Sequence, residues 1–263
     1  MDLGLKGKIA VVAGASKGLG YGVAKILAAE GAIVSLASRD ESAINAAAER
    51  IREETGGDVH PVVADVRSPE HIQSWFEGVS RRHGGIDMLF ANTGGPKSGR
   101  FSDFDDAAWV EAHELLLLSA IRLARVAVSE MKKRGGGSIV FTTSVSVKEP
   151  NPMLALSNVE RAGVAALSKT LADEFAHDLI RVNSVVPGRI DTDRVRQLDE
   201  VKAKNEGTTV DEQRVRNEKL IPLGRYGSTD EYARPVVFLL SPAASYVTGA
   251  TLMIDGGMVR GVQ

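Results

Sequence analysis

The chain has 263 residues, of which 43% are hydrophobic and 25% charged, and its formal net charge is −2. This is the composition of a globular protein with a large core, and the weak negative charge does not indicate nucleic acid or an anionic membrane as a partner. The absence of cysteine excludes disulfides, thiolate nucleophiles and cysteine-ligated metals. The five histidines show no metal-ligand spacing, so no metal site is predicted. No apolar run reaches the roughly 18 residues of a membrane span, and the N-terminus lacks a signal-peptide pattern. We therefore expect a soluble, cytoplasmic protein.

Seven runs of almost continuously apolar, β-rich sequence alternate with amphipathic segments. The runs lie at residues 8–15, 32–38, 60–66, 87–94, 138–144, 180–188 and 251–257. Strands covered by helices on both faces have this pattern, and strand–helix alternation produces parallel strands joined by right-handed crossovers. We predict an α/β fold of the doubly wound Rossmann type, with a seven-stranded, mainly parallel sheet and helices on both faces. No repeat or linker is evident, so a single domain is expected over residues 1–263.

A glycine-rich turn follows the first run and opens a helical segment. Gly14, Gly18 and Gly20 form a G-x-x-x-G-x-G pattern in this strand–turn–helix context. Glycine permits the tight turn and lets backbone N–H groups approach a pyrophosphate at the helix N-terminus. The pattern predicts a dinucleotide site, and the alternative is a tight turn without a ligand. The residues expected to contact the dinucleotide are Gly14, Ser16, Lys17, Gly18, Leu19 and Gly20.

The end of the second run indicates which dinucleotide binds. An NAD site commonly has an acidic residue there, but this chain has Ser38 followed by Arg39. A guanidinium suits a 2′-phosphate, Ser38 can donate to it, and Lys17 adds a second cation. Asp40 is adjacent but is suited to cap the next helix. The pattern favours NADP (NADPH) over NAD, and the alternative for Arg39 is a solvated surface charge.

A long polar segment at residues 190–225 interrupts the alternation before the last strand. Insertions of this length in compact domains are usually functional, and open α/β sheets bind ligands at the carboxyl edge of their strands. We therefore predict a substrate lid at residues 190–225. A solvated helical excursion is the alternative. No motif in the segment indicates which substrate it covers.

With these features the chain resembles the single-domain short-chain dehydrogenase/reductase family, in its subgroup similar to oxoacyl-carrier-protein reductases. The resemblance spans nearly the whole chain and includes "ADV" at 64–66, "ANTGG" at 91–95, Ser144, and "VNSVVPGRIDT" at 182–192. It implies further cofactor contacts from Asp65, Val66, Asn92, Thr93, Gly94, Pro187, Gly188, Ile190 and Thr192. It also implies a homotetramer or homodimer built partly on long helices at 104–133 and 152–177.

The resemblance breaks down at the residues that carry the chemistry. The family uses a tyrosine as proton donor, a lysine four residues later, a serine that polarises the carbonyl, and an asparagine that holds a relay water. Aligned through "VAALSKTLA" at 164–172, this chain has Ser157 and Arg161 at the tyrosine and lysine places. Ser144 keeps the serine, and Leu116 takes the asparagine place. The implied catalytic residues are thus Ser144, Ser157 and Arg161, and Arg161 is also implied to contact the nicotinamide ribose.

These departures predict weakened or non-standard proton transfer. An aliphatic hydroxyl is a far weaker acid than a phenol, and arginine differs from lysine in shape and stays protonated. Lys148, His113 and Glu160 are alternative proton groups, and a structural or solvated role is the alternative for each. Ser157 and Asn158 are expected to open their helix as its cap.

Three functions are compatible with this sequence. The first is an NADP-dependent oxidoreductase acting on a carbonyl or alcohol, which makes the chain an enzyme. The second is a catalytically impaired dinucleotide-binding pseudoenzyme that serves as a sensor or partner subunit. The third is lyase or isomerase chemistry that uses Ser144 and Arg161 on the same scaffold. Fold alone does not decide among them, and the completeness of the cofactor half and the lid favours the first.

Overall fold

Seven strands form one sheet in a computed structural model that describes residues 1–261. Their order is β3-β2-β1-β4-β5-β6-β7, and every neighbouring pair is parallel. The strands are β1 Ile9–Ala13, β2 Ile33–Ser38, β3 Val59–Val63, β4 Met88–Ala91, β5 Gly137–Thr142, β6 Ile180–Pro187 and β7 Thr251–Ile254. The predicted doubly wound α/β fold is confirmed, and the sheet of the described residues is wholly parallel rather than mainly so.

Helices cover both faces of the sheet. They are α1 Gly18–Ala29, α2 Glu41–Thr55, α3 Pro69–His83, α4 Asp106–His113, α5 Ser119–Lys133, α6 Ala155–Glu174, α7 Asp193–Glu206, α8 Val210–Glu218 and α9 Thr229–Leu240. Alternate residues of β1 pack into the hydrophobic cores on opposite faces of the sheet. Ala10 and Val12 pack with α1, α2 and α9, whereas Ile9, Val11 and Ala13 pack with α3, α5 and α6. Burial on both faces explains the continuous apolar runs.

Local capping sets several helix ends where the sequence places them. The Asp40 carboxylate accepts a hydrogen bond from Ala43 N at 2.9 Å, which confirms its predicted role as the cap of α2. Gly56 ends α2 with φ of 67°, in the left-handed region that glycine adopts without strain. A polar side chain thus starts α2, and a glycine ends it.

The two long helices expected from the sequence are shorter and less regular. The first divides into α4, a π-helical segment at Glu114–Leu118, and α5. The second is α6, which begins at Ala155, so the prediction that Ser157 and Asn158 open it is wrong. Asn158 N already donates to Leu154 O at 2.8 Å within the helix. Ser157 therefore lies inside the first turn.

The segment 190–225 folds into the helical pair α7 and α8. Thr192 caps α7, and Thr209 caps α8 with Glu212. The buried Asp199 carboxylate joins the pair to the loop that leads into α9: it accepts hydrogen bonds from Tyr226 Oη at 2.7 Å and from Asn217 Nδ2 at 2.9 Å. These contacts hold the pair in a defined position beside the carboxyl edge of the sheet.

Candidate active site

One large cavity opens at the carboxyl edge of the strands. Its volume is about 1190 Å³, which exceeds the roughly 300–1,000 Å³ of most small-molecule sites. It is bounded by the segments that follow β1 to β6 and by the inner sides of α7 and α8. The sheet order reverses between β1 and β4, and open α/β sheets bind ligands at such a switch point. The cavity is therefore where a dinucleotide and a second molecule would meet.

The glycine turn forms one end of the cavity. Gly14 and Gly18 have φ of 61° and 60°, so both positions need glycine. Gly14, Ser16, Lys17, Gly18 and Leu19 line the cavity. Gly20 was expected to contact the dinucleotide but does not line the cavity. A Cβ there would lie 2.3 Å from Gly14 O, so Gly20 instead lets α1 pack against the turn.

Ser38 and Arg39 line the cavity beyond the turn. Arg39 is exposed and forms no ion pair with any of residues 1–261. Lys17 was predicted to be a second cation for the 2′-phosphate beside Arg39. In the structure it forms an ion pair with Asp193 of α7. Asp65 also lines the cavity, and its hydrogen bonds with Arg67 hold the pKa of Asp65 below its usual value.

The remaining residues expected to contact cofactor also meet here. Asn92 Nδ2 donates to Gly14 O at 3.2 Å, which joins the end of β4 to the glycine turn. The Thr192 hydroxyl accepts from Val195 N at 3.4 Å as the cap of α7. The members of this group that line the cavity are Val66, Asn92, Thr93, Gly94, Pro187, Gly188, Ile190 and Thr192.

Two serine hydroxyls lie at the other end of the cavity. Ser144 Oγ follows β5 and accepts hydrogen bonds from Ser146 N at 3.2 Å and Ser146 Oγ at 3.0 Å. Its own proton is thus left to donate. Ser157 lines the same wall, and its side chain makes no hydrogen bond with the described residues. Ser157 and Arg161 are four residues apart and so share one face of α6.

Arg161 is a buried cation on this wall. The residue is 8% exposed, and its Nη1 donates to Thr142 O at 2.8 Å. Burial lowers the pKa of Arg161 to about 10, so the guanidinium stays protonated near neutral pH. Tyr232 lies behind Thr142, where the two hydroxyls are 3.0 Å apart, but it is fully buried and does not line the cavity.

The alternative proton groups are not on the cavity wall. His113 Nδ1 and Glu160 Oε2 are 3.0 Å apart and pair with each other, and Lys148 is exposed in the loop after β5. The sequence alignment assigned the family's asparagine place to Leu116. In the structure Leu115 lines the cavity instead, and Leu116 is buried away from it. The π-helical segment contains both, and its wider turn changes which side chain faces the cavity.

Several lining residues were not singled out from the sequence. Arg194 of α7 lines the cavity, and its Nη2 donates to Pro96 O at 2.6 Å. Lys202 and Asn217 reach the same space from α7 and α8. The polarity of the segment 190–225 signalled a functional insertion, but its many charged residues gave no indication of which ones face inward.

Neither a membrane-spanning helix nor a metal cluster occurs among the described residues. Across residues 1–261, no helix has both the length and the apolar character needed to cross a membrane. The same part of the chain holds no group of three or more histidine, aspartate and glutamate side chains placed to bind a metal ion.

Comparisons with known proteins agree with this geometry. The family model described as Enoyl-(Acyl carrier protein) reductase matches residues 14–259. The 3-oxoacyl-(acyl-carrier-protein) reductase of Vibrio cholerae is 33% identical over 256 residues, 97% of this chain and 99% of that protein. Dehydrogenase/reductase SDR family member 4 of Homo sapiens is 32% identical over 254 residues, 96% of this chain and 88% of that protein. The crystal structure of L-sorbose reductase from Gluconobacter frateurii, complexed with NADPH and L-sorbose, has a TM-score of 0.94 and 35% identity and covers 100% of both chains. The chain belongs to the short-chain dehydrogenase/reductase family.

Proposed function

We propose that this chain is an NADP-dependent oxidoreductase that interconverts a carbonyl and an alcohol, with proton-transfer groups that depart from the family's usual set. The observation that carries the proposal is that Ser144, Ser157 and Arg161 share one cavity with the glycine turn and Arg39. A cofactor-binding end and a polar reacting end are thus continuous. The proposal includes a single domain over residues 1–263, in which residues 190–225 act as a substrate lid.

The residues at the cofactor end suit NADP. Backbone N–H groups of the glycine turn and the N-terminus of α1 would hold the pyrophosphate. Arg39, which has no ion-pair partner among the described residues, would hold the 2′-phosphate, aided by Ser38 and Lys17. The L-sorbose reductase structure contains NADPH, which supports the same cofactor here. When bound, NADPH supplies the hydride that goes to the carbonyl carbon.

The residues at the reacting end would handle the carbonyl oxygen. Ser144 accepts two hydrogen bonds from Ser146, so its own O–H is oriented to donate to that oxygen. The charge of Arg161 would stabilise the oxygen as negative charge develops on it. Ser157, which lines the same cavity, would pass a proton from water to that oxygen. Because an aliphatic hydroxyl is a weak acid, we expect this step to be slow.

A second candidate function follows from one specific observation. None of the described residues that line the cavity is a tyrosine, so the family's usual proton donor has no direct replacement. A dinucleotide-binding pseudoenzyme, acting as a sensor or partner subunit, would have this cavity and would bind nucleotide without turning over any substrate.

The proposal extends to assembly and location. Phe101, Val110 and Val159 are exposed apolar side chains beside and on α4 and α6. Such a surface suits burial against a second copy, which supports a homodimer or homotetramer. The cytoplasmic location is proposed from the sequence alone. Sedimentation equilibrium of the purified chain would test the assembly, and a monomer at micromolar concentration would contradict it.

The function itself is tested in two steps. Fluorescence titration with NADPH and NADH comes first, and we expect NADPH to bind more tightly. Turnover is then measured on oxoacyl thioesters, simple ketones and sugars, including L-sorbose. Binding without turnover on the whole panel would favour the pseudoenzyme. Failure of both nucleotides to bind would reject both functions.

A further inference from the structure

Arg161 carries a charge that the protein does not neutralise. A guanidinium has five N–H donors, yet within residues 1–261 the side chain makes one hydrogen bond, to Thr142 O, and no ion pair. Burying an unpaired charge is costly unless a ligand or a counter-ion compensates it. Arg161 lines the cavity together with Ser157, one turn earlier on α6, and it bonds to Thr142, two residues before Ser144. Its remaining donors are therefore available to an anion at the reacting end.

Arg194 brings a second guanidinium to the cavity from α7. It is half-buried and, in the described chain, hydrogen-bonds only to Pro96 O. Gly95 permits its approach, because a Cβ at that position would lie 2.7 Å from Arg194 Nε. In addition to burial, the charge of Arg194 lowers the pKa of Arg161, so the two guanidinium groups are within electrostatic reach. Like charges that line one cavity repel each other, and an anion between them would relieve the repulsion.

The acidic residues of the cavity wall are engaged elsewhere. Asp40 caps α2, and Asp65 pairs with Arg67. Glu149 accepts from Arg260 N, and Asp193 pairs with Lys17. Glu160 lies next to Arg161 in sequence but pairs with His113, outside the cavity. In the described part of the chain, no carboxylate neutralises either arginine.

We propose that Arg161 and Arg194 bind a carboxylate carried by the substrate, so that the chain acts on oxo acids and hydroxy acids. This rests on the carbonyl–alcohol reaction proposed above. The planar fork of arginine matches a carboxylate, and an anion at a desolvated guanidinium is held strongly. The cofactor phosphates are assigned to the glycine turn and Arg39, whereas Arg161 bonds to Thr142 O at the end of β5. The substrate is thus the molecule that brings the negative charge to Arg161.

Matched acids and esters test the proposal through binding. Calorimetry would compare 2-oxobutanoate and 4-oxopentanoate with their methyl esters, on protein with and without saturating NADP⁺. We expect at least one acid to bind about tenfold or more tightly than its ester, since hydrogen bonds to charged groups contribute about 10- to 100-fold in affinity. Equal binding of acid and ester in both pairs would overturn the proposal without any variant.

Variants assign the effect to the two arginines. Arg161→Gln and Arg194→Gln should each reduce the acid-to-ester affinity ratio about tenfold, and Arg194→Lys should restore part of it. Arg196→Gln is the matched control. Arg196 also lies on α7, but it does not line the cavity and it forms an ion pair with Asp191. That variant should leave the ratio unchanged. Circular dichroism confirms that each variant is folded.

Other outcomes separate this proposal from the proposed function. If NADPH binds and the methyl esters are reduced while the acids show no advantage, the oxidoreductase stands and the carboxylate site is rejected. If Arg161→Gln weakens NADPH and spares the acid-to-ester ratio, Arg161 holds the nicotinamide ribose instead. If dihydroxyacetone phosphate binds more tightly than either acid and loses affinity in the same variants, the anion is a phosphate and the carboxylate is rejected.

Discussion

Lys17 Nζ lies 3.2 Å from Asp193 Oδ2, so an ion pair joins the glycine turn to the first residue of α7. The two side chains are 70% and 56% exposed, and an exposed pair of this kind contributes little to stability. The ion pair matters because it connects the proposed cofactor end of the cavity to the proposed lid. The cation that the sequence predicts for a 2′-phosphate thus already has a carboxylate partner.

Asp193→Asn should therefore tighten NADPH binding about two- to fivefold, because Lys17 is released toward the 2′-phosphate. Fluorescence titration at low salt measures the change. NADH serves as the control and should bind as before. The gain should fade at high ionic strength, since exposed charges are screened. Tighter binding of NADH by the same factor would show that Asp193 acts through the lid rather than through Lys17.

Arg39→Ala should weaken NADPH binding about 10- to 100-fold, since a charge-assisted contact to the 2′-phosphate is lost. NADH lacks that phosphate and should lose less than about twofold. The Kd ratio of the two nucleotides, measured side by side, is the readout. An equal loss for both would assign Arg39 a structural role and remove the main support for NADP preference.

Ser144→Ala should lower kcat about 100-fold with the Kd of NADPH unchanged, as is typical when one donor to a developing oxyanion is removed. Ser146→Ala should have a smaller effect, because it removes only the bond from Ser146 Oγ to Ser144 Oγ and keeps the bond from Ser146 N. Steady-state kinetics on the best substrate of the panel measures both. A Ser144→Ala enzyme as fast as the parent would reject the assigned role.

Ser157→Tyr combined with Arg161→Lys should raise kcat on neutral ketones by about tenfold or more, because a phenol beside an ammonium group is a better proton donor near neutral pH. Both positions lie on the cavity wall on one face of α6, so the pair has the four-residue spacing that the family uses. Rates are compared at pH 7 with the parent and with each single variant. No gain in the double variant would mean that another residue limits the rate, such as Leu115, which lines the cavity where the family has an asparagine.

Arg161→Met should raise the free energy of unfolding at pH 7 by about 1–2 kcal/mol, because a buried unpaired charge is removed and the loss of the bond to Thr142 O offsets only part of the gain. Burial lowers the folded-state pKa of Arg161 to about 10, below its value in the unfolded chain, so folding disfavours the proton. The penalty is fully present below about pH 10 and declines only as the pH rises above that value.

Urea denaturation at several pH values checks this prediction. The gain should be constant from about pH 6 to 9, since Arg161 is protonated in both the folded and the unfolded chain over that range. A less stable Arg161→Met protein would mean that the guanidinium is compensated by contacts beyond its bond to Thr142.

The sequence was sufficient for the architecture because strand burial on both faces leaves a continuous apolar pattern that few other folds share. The strand centres, the glycine turn and the Asp40 cap were all predictable, since each depends on residues close together in the chain. The places of Ser144, Ser157 and Arg161 were implied by the family resemblance, through the alignment at residues 164–172. These three residues do line one cavity.

Tertiary structure decided the features that depend on residues far apart in the chain. The pairing of Lys17 with Asp193, the removal of Gly20 from the cavity wall and the exchange of Leu116 for Leu115 follow from packing and from a π-helical turn. The isolation of Arg161 from any carboxylate of the described chain is of the same kind. A sequence shows that a charge is present, but only the folded arrangement shows whether another charge lies close enough to neutralise it, because electrostatic interaction depends on distance and burial.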